Sequence, residues 1–267
     1  MKAAGRKLCA EFPRSLPSFV RAIDSPENGM QVWIAQLDSI LPNDMTELVA
    51  TLDSRERARA AQFHFERDRQ HFIGARGILR RLLSAALDIP APELAFEYGP
   101  HGKPAIAAGT GDGPKLRFNI SHAGGSAIFA LVWDRELGID LEAVAHITDK
   151  GENLSDLATR ILSPRELAIW RELPNNTVRG PALLRAWTRK EAYIKATGEG
   201  LFHRLQDIEV ALDAVMPKAS LTIRSFPDEG KVSCDWTIHD LTAPAGFFAA
   251  VAVEPVTPQR FGINCRA

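Results

Sequence analysis

Two acidic side chains, Asp140 and Glu142, lie two residues apart in the apolar segment LGIDLEAV. Alternate residues of a strand point to the same face, so the two carboxylates share one face while Ile139 and Leu141 point into the core. Such oxygen ligands suit Mg²⁺, which binds one or two carboxylates and completes its shell with water and phosphate oxygens. The pair predicts a magnesium site that handles phosphate. For these two residues alone, a solvated strand face is the alternative.

A second candidate set lies in the segment RAWTRKEAYIKATGEG, where Trp187, Glu191 and Lys195 follow one another at intervals of four. This spacing stacks the three side chains on one face of a helix. One interpretation is an ordinary Glu–Lys pair that stabilises the helix. The other is a face that looks into a site, because it carries a large indole and ends at a glycine-rich stop. Glu191 would then be a third metal carboxylate and Lys195 a phosphate contact.

Ser121 and His122 stand where the segment LRFNISH gives way to Ala123 and the pair Gly124-Gly125. Glycines let the backbone approach a ligand closely and leave N–H groups free to bind anions. A serine hydrolase is disfavoured, because adjacent strand residues point to opposite faces and no G-x-S-x-G elbow is present. An anion contact and a turn histidine without a catalytic role are the two interpretations that stay open.

Basic side chains that could meet phosphate occur at a turn and along a helix. Lys103 precedes a proline and follows a glycine, so a rigid turn presents its ammonium group. Arg69, Arg76 and Arg80 lie within about 40° of one another on a helix at ~100° per residue, and arginine can bind phosphate oxygens bidentately. Residues 55–81 carry eight arginines against three acidic residues, a local net charge of +5. A solvated basic face is the alternative.

The elements that must hold these residues follow from hydrophobic periodicity. Apolar residues at three- and four-residue spacing predict helices over about 67–87, 155–172 (with a break at Ser163 and Pro164) and 181–197. Short segments between glycine- and proline-rich turns predict a strand at 31–37, hairpins at 96–106 and 116–133, and strands at 137–144 and 246–253. Helices and strands without regular βαβ alternation indicate an α+β fold.

The order of elements indicates two similar lobes that meet near residues 135–137. A chain of 267 residues can form two units of roughly 130 residues, each with its own core. We therefore predict an N-terminal extension over residues 1–30, loosely structured because proline and charge interrupt it, an N-terminal lobe over 31–136 and a C-terminal lobe over 137–267.

Composition narrows the class of protein. The chain has 32 Lys and Arg against 33 Asp and Glu, a balance that argues against a nucleic-acid binder. Its three cysteines are far apart and form no CxxC pair, so neither a disulfide framework nor a zinc site is expected. The longest apolar stretch, 245–253, is far shorter than the ~20 residues that span a bilayer, and no signal peptide is recognised. We expect a cytoplasmic protein that does not bind membranes.

Four segments together resemble those of a known family, the 4′-phosphopantetheinyl transferases. They are GKP at 102–104, FNISH at 118–122, GIDLE at 138–142 and WTRKEAYIK at 187–195, in the family's order and approximate spacing. The chain looks most like the monomeric, two-lobed type that activates peptide and polyketide synthetases, over roughly residues 50–255. Ala123 departs from the pattern, since the family often has a second serine there, and the first 25–30 residues have no counterpart in shorter members.

The resemblance implies an activity and a set of site residues. The activity is transfer of the phosphopantetheine arm of coenzyme A to a serine of an apo acyl or peptidyl carrier protein, with release of adenosine 3′,5′-bisphosphate. It implies two similar lobes related by a pseudo-two-fold axis, each a small antiparallel sheet with helices. The residues that match Mg²⁺ ligands are Asp140, Glu142 and Glu191. Those that match contacts to coenzyme A phosphates are Lys103, Ser121, His122 and Lys195, with Arg69 and Arg76 as further candidates.

Catalysis is assigned to Asp140, Glu191 and Lys195. Lys195 would stabilise the leaving oxygen, and either Glu191 or a metal-bound water would remove the proton of the carrier serine. Two other functions remain as alternatives: a non-catalytic module that binds coenzyme A or a carrier domain, and a Mg²⁺-dependent phosphohydrolase.

Overall fold

The computed structural model describes residues 17–107, 114–145, 153–198, 205–212, 221–223 and 236–255. Within these ranges the chain forms two four-stranded antiparallel sheets, a two-stranded hairpin and six α-helices. The helices and strands follow one another in two similar series, which correspond to the two lobes.

The first series contains six strands and three helices. A 3₁₀ turn at Leu37–Ser39 follows the second strand. The elements are β1 (Val20–Ile23), β2 (Gln31–Gln36), α1 (Pro42–Thr51), α2 (Ser54–Ala60), α3 (Glu66–Leu87), β3 (Phe96–Tyr98), β4 (Pro104–Ile106), β5 (Leu116–Ala123) and β6 (Ser126–Trp133).

The second series contains three helices and four strands. Its elements are β7 (Leu137–Ala143), α4 (Leu154–Ile161), α5 (Pro164–Glu172), α6 (Asn176–Thr197), β8 (Leu221–Ile223), β9 (Trp236–Leu241) and β10 (Phe247–Val253).

The two lobes repeat one topology. In the first sheet the strand order is β1-β2-β6-β5, and in the second it is β7-β10-β9-β8. Each lobe continues from its strands through helices to a 22-residue helix and returns as a hairpin. The last strand of that hairpin pairs with the strand that precedes the helices, β6 with β2 in the first lobe and β10 with β7 in the second. This arrangement confirms the α+β class with two similar lobes.

The two sheets pack face to face between α3 and α6. On β2, Trp33 and Ala35 belong to the core shared with α3, whereas Val32 and Ile34 belong to a core that also contains Ile139 of β7. On the far side, alanines of α6 pack against alanines of β10. The period of two along each strand therefore separates a helix-facing side from a sheet-facing side.

Most of the predicted elements are observed with small shifts in their ends. The predicted helix at 67–87 is α3, the helix broken at Ser163 is α4 followed by α5, and the helix at 181–197 is α6, which begins earlier at Asn176. Ser163 and Glu166 form a reciprocal capping box that starts α5. Gly198 ends α6 in the left-handed conformation, with φ 69°.

The predicted loose N-terminal extension is wrong for the part of it that the structure describes. Val20–Ile23 forms β1 and pairs with β2 at the edge of the first sheet. Its burial pattern has two exposed residues between buried ends, so the usual alternation is absent from these four residues. Residues 1–16 lie outside the described ranges, and the lobe boundaries at 30/31 and 136/137 stay predictions.

Arg80, the third member of the predicted arginine series, is a structural residue rather than a phosphate contact. Its guanidinium is fully buried and donates to Glu56 Oε2 over 2.5 Å and to Asp53 Oδ2 over 2.7 Å. It also donates to the carbonyl oxygens of Ala91 and Leu94. These bonds hold α3 against the start of α2 and the turn after α3.

In the described ranges, no helix has the length and apolar character needed to cross a membrane.

A glycine on β7 sets the distance between the second sheet and α6. A Cβ atom on Gly138 would overlap the carbonyl oxygen of Ala192 and the amide nitrogen of Ala196. These obstructing atoms belong to the backbone, so they cannot turn aside as a side chain can. Only glycine at this position permits the observed approach of α6 to β7.

We expect Gly138→Ala to lower the free energy of unfolding by about 3 kcal/mol, the upper part of the range for overpacked sites. Gly180→Ala is the matched control, because Gly180 lies in α6 and an added Cβ there meets nothing within 4 Å. That change should have a much smaller effect, because the helix propensity gained with alanine is opposed by crowding between its Cβ and the ring of Pro181, which follows. Urea unfolding of both variants measures the difference, and equal stabilities would contradict the packing argument.

Candidate active site

Ser121, Asp140 and Lys195 meet where β5, β7 and α6 come together. The Ser121 hydroxyl donates to Asp140 Oδ1 over 2.9 Å. Lys195 Nζ donates to the same carboxylate oxygen over 2.5 Å and to Ser121 Oγ over 2.9 Å. Ser121 and Asp140 are buried, whereas 31% of the Lys195 side chain is exposed. The three residues join the two lobes at a point that a ligand can reach.

The second carboxylate oxygen of Asp140 is a buried acceptor. Asp140 Oδ2 has no hydrogen-bond partner among the described residues, although the side chain is almost completely enclosed. An unpaired buried carboxylate oxygen is destabilising unless a cation or a donor satisfies it. This oxygen is therefore a candidate ligand for a cation.

Glu191 lies close to both acidic residues of β7. Burial raises the pKa of Glu191, and the negative charges of Asp140 and Glu142 raise it further. The charge of Lys195 and a hydrogen bond from Trp187 oppose this rise. The net direction is upward, so negative charge is in excess at this point and a bound cation would relieve it.

The three carboxylates suit magnesium by their chemistry. Asp140, Glu142 and Glu191 offer only oxygen ligands. Of these oxygens, Oδ2 of Asp140 is buried and has no hydrogen-bond partner among the described residues. In the described part of the chain, however, no group of three or more acidic, histidine or cysteine side chains has metal-binding geometry. The ammonium group of Lys195 supplies the positive charge next to Asp140.

The four charged residues of the WTRKEAYIK segment divide into two pairs. Lys190 is fully buried and donates to Glu166 Oε2 over 2.5 Å, and burial lowers its pKa. Arg189 donates to both carboxylate oxygens of Asp240 on β9, over 2.8 and 2.7 Å. These two residues anchor α6 to its neighbours, and the other pair, Glu191 and Lys195, is left for the site.

His122 lies on the opposite face of β5 from Ser121. Ser121 is buried toward Asp140, whereas His122 is exposed and shares the side of Phe118, which packs in the core with α3. Partial burial and the positive charges of Lys195 and His71 lower the pKa of His122. A bound anion would favour the charged form of the ring. This alternation also separates Ser121 from His122, as expected of adjacent residues on a strand.

Lys103 lies at the carboxyl end of α6 and is bonded there to the residue that follows Lys195. Its Nζ donates to the carbonyl oxygen of Ala196 over 2.7 Å and to Glu136 Oε2 over 2.8 Å. Burial lowers the pKa of Lys103, and Glu136 opposes the shift. Lys103 and Arg117 line a cavity of about 340 Å³ with the end of α6, a size that suits part of a small ligand.

Arg69 and Arg76 make their described contacts outside this cluster. Arg69 pairs with Glu66 within α3. Arg76 pairs with Glu56 over 2.9 Å and donates to the Tyr98 hydroxyl over 2.9 Å. Their roles as phosphate contacts stay predictions, and the structure does not bring them to Asp140.

A group that the sequence did not predict lies on the other side of α3. Arg67 donates to Asp38 Oδ2 over 3.0 Å, and His71 Nε2 bonds Asp38 Oδ1 over 2.7 Å. Hydrogen bonds from Arg67 and His71 lower the pKa of Asp38, that from Arg67 most. The interval of four between Arg67 and His71 is a helical signal, but Asp38 is 29 residues before Arg67 and no local pattern connects them.

Comparison with known families accounts for both lobes. Residues 136–251 match the model of the 4′-phosphopantetheinyl transferase superfamily. Residues 40–132 match the model described as 4′-phosphopantetheinyl transferase, N-terminal.

Similar proteins from bacteria and animals are named as phosphopantetheinyl transferases. The 4′-phosphopantetheinyl transferase HetI of Nostoc sp. is 35% identical over 84% of this chain and 87% of its own length. The L-aminoadipate-semialdehyde dehydrogenase-phosphopantetheinyl transferases of Xenopus laevis and Homo sapiens are 28% and 27% identical, over 84% and 83% of this chain and 76% and 74% of their own. This chain therefore belongs to the 4′-phosphopantetheinyl transferase family of enzymes.

Proposed function

We propose that the protein transfers the 4′-phosphopantetheine arm of coenzyme A to a serine of an apo acyl or peptidyl carrier protein, in a Mg²⁺-dependent reaction that releases adenosine 3′,5′-bisphosphate. The proposal rests on the two carboxylate oxygens of Asp140. Oδ1 accepts hydrogen bonds from Lys195 and Ser121, whereas Oδ2 is buried without a partner in the described ranges. Family membership supplies the type of group transferred.

Asp140, Glu142 and Glu191 would hold the metal. When bound, Mg²⁺ would neutralise negative charge on the pyrophosphate of coenzyme A. Two observations support this assignment: the pKa of Glu191 is raised, and Oδ2 of Asp140 is buried without a partner among the described residues. Both indicate negative charge that a bound cation would neutralise.

In the proposed reaction, the carrier serine oxygen forms a bond to the phosphorus on the pantetheine side of the anhydride. The anhydride P–O bond breaks, and its electron pair leaves with adenosine 3′,5′-bisphosphate. Lys195 is placed to stabilise the negative charge on that leaving group. The serine proton passes to Glu191, whose raised pKa suits a general base, or to a water molecule.

A set of polar and basic side chains would bind the phosphates of coenzyme A. Ser121, His122 and Lys195 surround the end of β5, and Lys103 lies at the neighbouring cavity. Arg69 and Arg76 are retained as more distant candidates. The proposed working form is a cytoplasmic monomer whose partners are coenzyme A and a carrier protein, with no role for nucleic acid or membrane.

Intact-mass measurement of apo carrier proteins incubated with the protein, coenzyme A and Mg²⁺ tests the function. A mass gain equal to one phosphopantetheine group on the carrier is the expected result. Hydrolysis of coenzyme A without a carrier would instead support a phosphohydrolase. Binding of coenzyme A with no product, while a known transferase succeeds on the same carriers, would support a non-catalytic module.

We expect Asp140→Asn and Glu191→Gln each to reduce the transfer rate by about 10²–10³ or more, because each removes a charge that meets the metal or the transferred proton. Asp156→Asn on α4 and Glu172→Gln on α5 are matched controls, since both parent residues are exposed helix positions away from the site. Thermal unfolding and circular dichroism establish that the variants are folded. Wild-type rates in either site variant would refute its assigned role.

Glu142→Gln separates metal binding from the chemical step. If Glu142 is a metal ligand, this variant should need at least about tenfold more Mg²⁺ for half-maximal rate, with the rate restored at saturating Mg²⁺. Titration of Mg²⁺ into chelator-treated protein measures the shift, and Glu172→Gln should keep the wild-type curve. An unchanged Mg²⁺ requirement in Glu142→Gln would remove Glu142 from the ligand set.

A further inference from the structure

One face of β5 makes a series of polar contacts with the chain around β7. Arg117, Asn119 and Ser121 are spaced by two along the strand, so their side chains share the face that looks away from α3. Arg117 pairs with Glu136 over 2.9 Å, and Ser121 donates to Asp140 over 2.9 Å. Asn119 lies between these two residues and has no role in the proposed function.

Asn119 bonds a backbone amide rather than a side chain. Its Oδ1 accepts a hydrogen bond from the N–H of Ile139 over 3.0 Å, and the residue is only 5% exposed. In the described ranges, β5 and β7 are edge strands of two different sheets. An edge strand has a row of N–H groups without strand partners, and a buried N–H without a partner is costly. Asn119 therefore supplies the partner that a neighbouring strand would otherwise provide.

The peptide group that Asn119 holds lies directly before the residue on which the site depends. Asp140 follows Ile139, and its Oδ1 accepts the hydrogen bond from Ser121. Because Asn119 and Ser121 share one face of β5, the first lobe holds two consecutive residues of β7, one by its backbone and the other by its carboxylate. The second lobe holds the same stretch through β10 and through the contact of α6 with Gly138.

We propose that Asn119 is a positioning residue of the active site: by holding the N–H of Ile139, it fixes the backbone that carries Asp140 and so sets where the two oxygens of that carboxylate lie. One of them, Oδ2, is buried without a partner in the described ranges and is the candidate cation ligand. This inference rests on the proposed function, because the group that Asn119 positions is the metal ligand named there.

A purely structural role in joining the lobes is the alternative, and a second contact between the lobes separates the two. Glu27, in the turn between β1 and β2, bonds His239 Nε2 of β9 over 2.9 Å. His239 is 5% exposed, as Asn119 is, but β10 lies between β9 and β7. Loss of the His239 bond would loosen the lobes, whereas loss of the Asn119 bond would also release the backbone beside Asp140.

Binding of Mn²⁺ in the presence of coenzyme A, followed by electron paramagnetic resonance, tests the proposal. Asn119→Leu has nearly the shape of asparagine without its oxygen, and it should weaken Mn²⁺ binding by about tenfold or more, as expected when the support of a metal ligand is removed. Asn119→Asp keeps an oxygen at the same place and should restore most of that affinity. Asn119→Ala, with the same expected loss, replaces Asn119→Leu if the larger side chain prevents folding.

Two further measurements show how the effect arises. Hydrogen exchange of the Ile139 amide should be slow in wild type and in Asn119→Asp and fast in Asn119→Leu, because only the last lacks the acceptor. In the carrier assay, Asn119→Leu should lower kcat and leave the KM for the carrier protein unchanged, since Asn119 acts through Asp140 and not through the partner.

His239→Leu is the matched control. It removes another buried bond between the lobes and should lower stability in urea, while Mn²⁺ affinity and kcat stay at wild-type values. Wild-type Mn²⁺ affinity in Asn119→Leu, equal weakening in His239→Leu, or an Asn119→Asp variant as weak as Asn119→Leu would each overturn the proposal, as would a wild-type protein that binds no Mn²⁺.

The carrier assay also distinguishes failure of this proposal from failure of the proposed function. A protein with the expected order of Mn²⁺ affinities but no transfer to any carrier would keep the role of Asn119 and refute the proposed function. Transfer by wild type, with Asn119→Leu unchanged in both kcat and Mn²⁺ affinity, would keep the function and refute the role of Asn119.

Discussion

The site depends on the contact between the backbone of α6 and Gly138. Because β7 has no side chain at that point, the backbone around Ala192 and Ala196 can lie directly on the strand. The functional residues of α6, Glu191 and Lys195, each precede one of these contact residues in the chain. Asp140 is two residues beyond Gly138 and is on the same face of β7. The close approach of α6 to Gly138 therefore determines where Glu191 and Lys195 lie relative to the carboxylate of Asp140 on β7.

The same helix is held from its other sides by buried charges. Lys190 is bonded to Glu166, and Arg189 is bonded to Asp240, so α6 is joined both to the start of α5 and to β9. Buried ion pairs contribute little net stability compared with apolar packing, but they tolerate few alternative arrangements because each broken pair leaves an uncompensated charge. Their effect is to restrict rotation and sliding of α6. That restriction matters because the position of Lys195 depends on the rotation of α6 and on its shift along the helix axis.

Sequence patterns predicted the elements better than the relations between them. The helices α3 and α6, the hairpin of β5 and β6, and the strand β7 all follow from periodicity and turn residues. The cluster of Ser121, Asp140 and Lys195 joins residues 19 to 74 positions apart, and only the order of the family's motifs brought them together. The arginines of α3 show the limit of periodicity, because it identifies residues that share a face and does not say which element that face meets. On that face, Arg76 and Arg80 pair with Glu56, and Arg80 also pairs with Asp53. The strand β1 was not predicted because its four residues lack the apolar alternation by which a strand is recognised.

The alternation of β5 explains how one strand could serve two parts of a single ligand. Ser121 and His122 cannot form a catalytic pair, because consecutive strand residues point to opposite faces. The same geometry suits a ligand with separated phosphate groups, since one residue can meet the pyrophosphate beside Asp140 while its neighbour meets a phosphate on the side of α3. This arrangement also explains why position 125 is glycine: a side chain there would displace Asp38 and break its hydrogen bond with His71. Under the proposed function, the two lobes each contribute a cationic group to the ligand, and β5 lies between them.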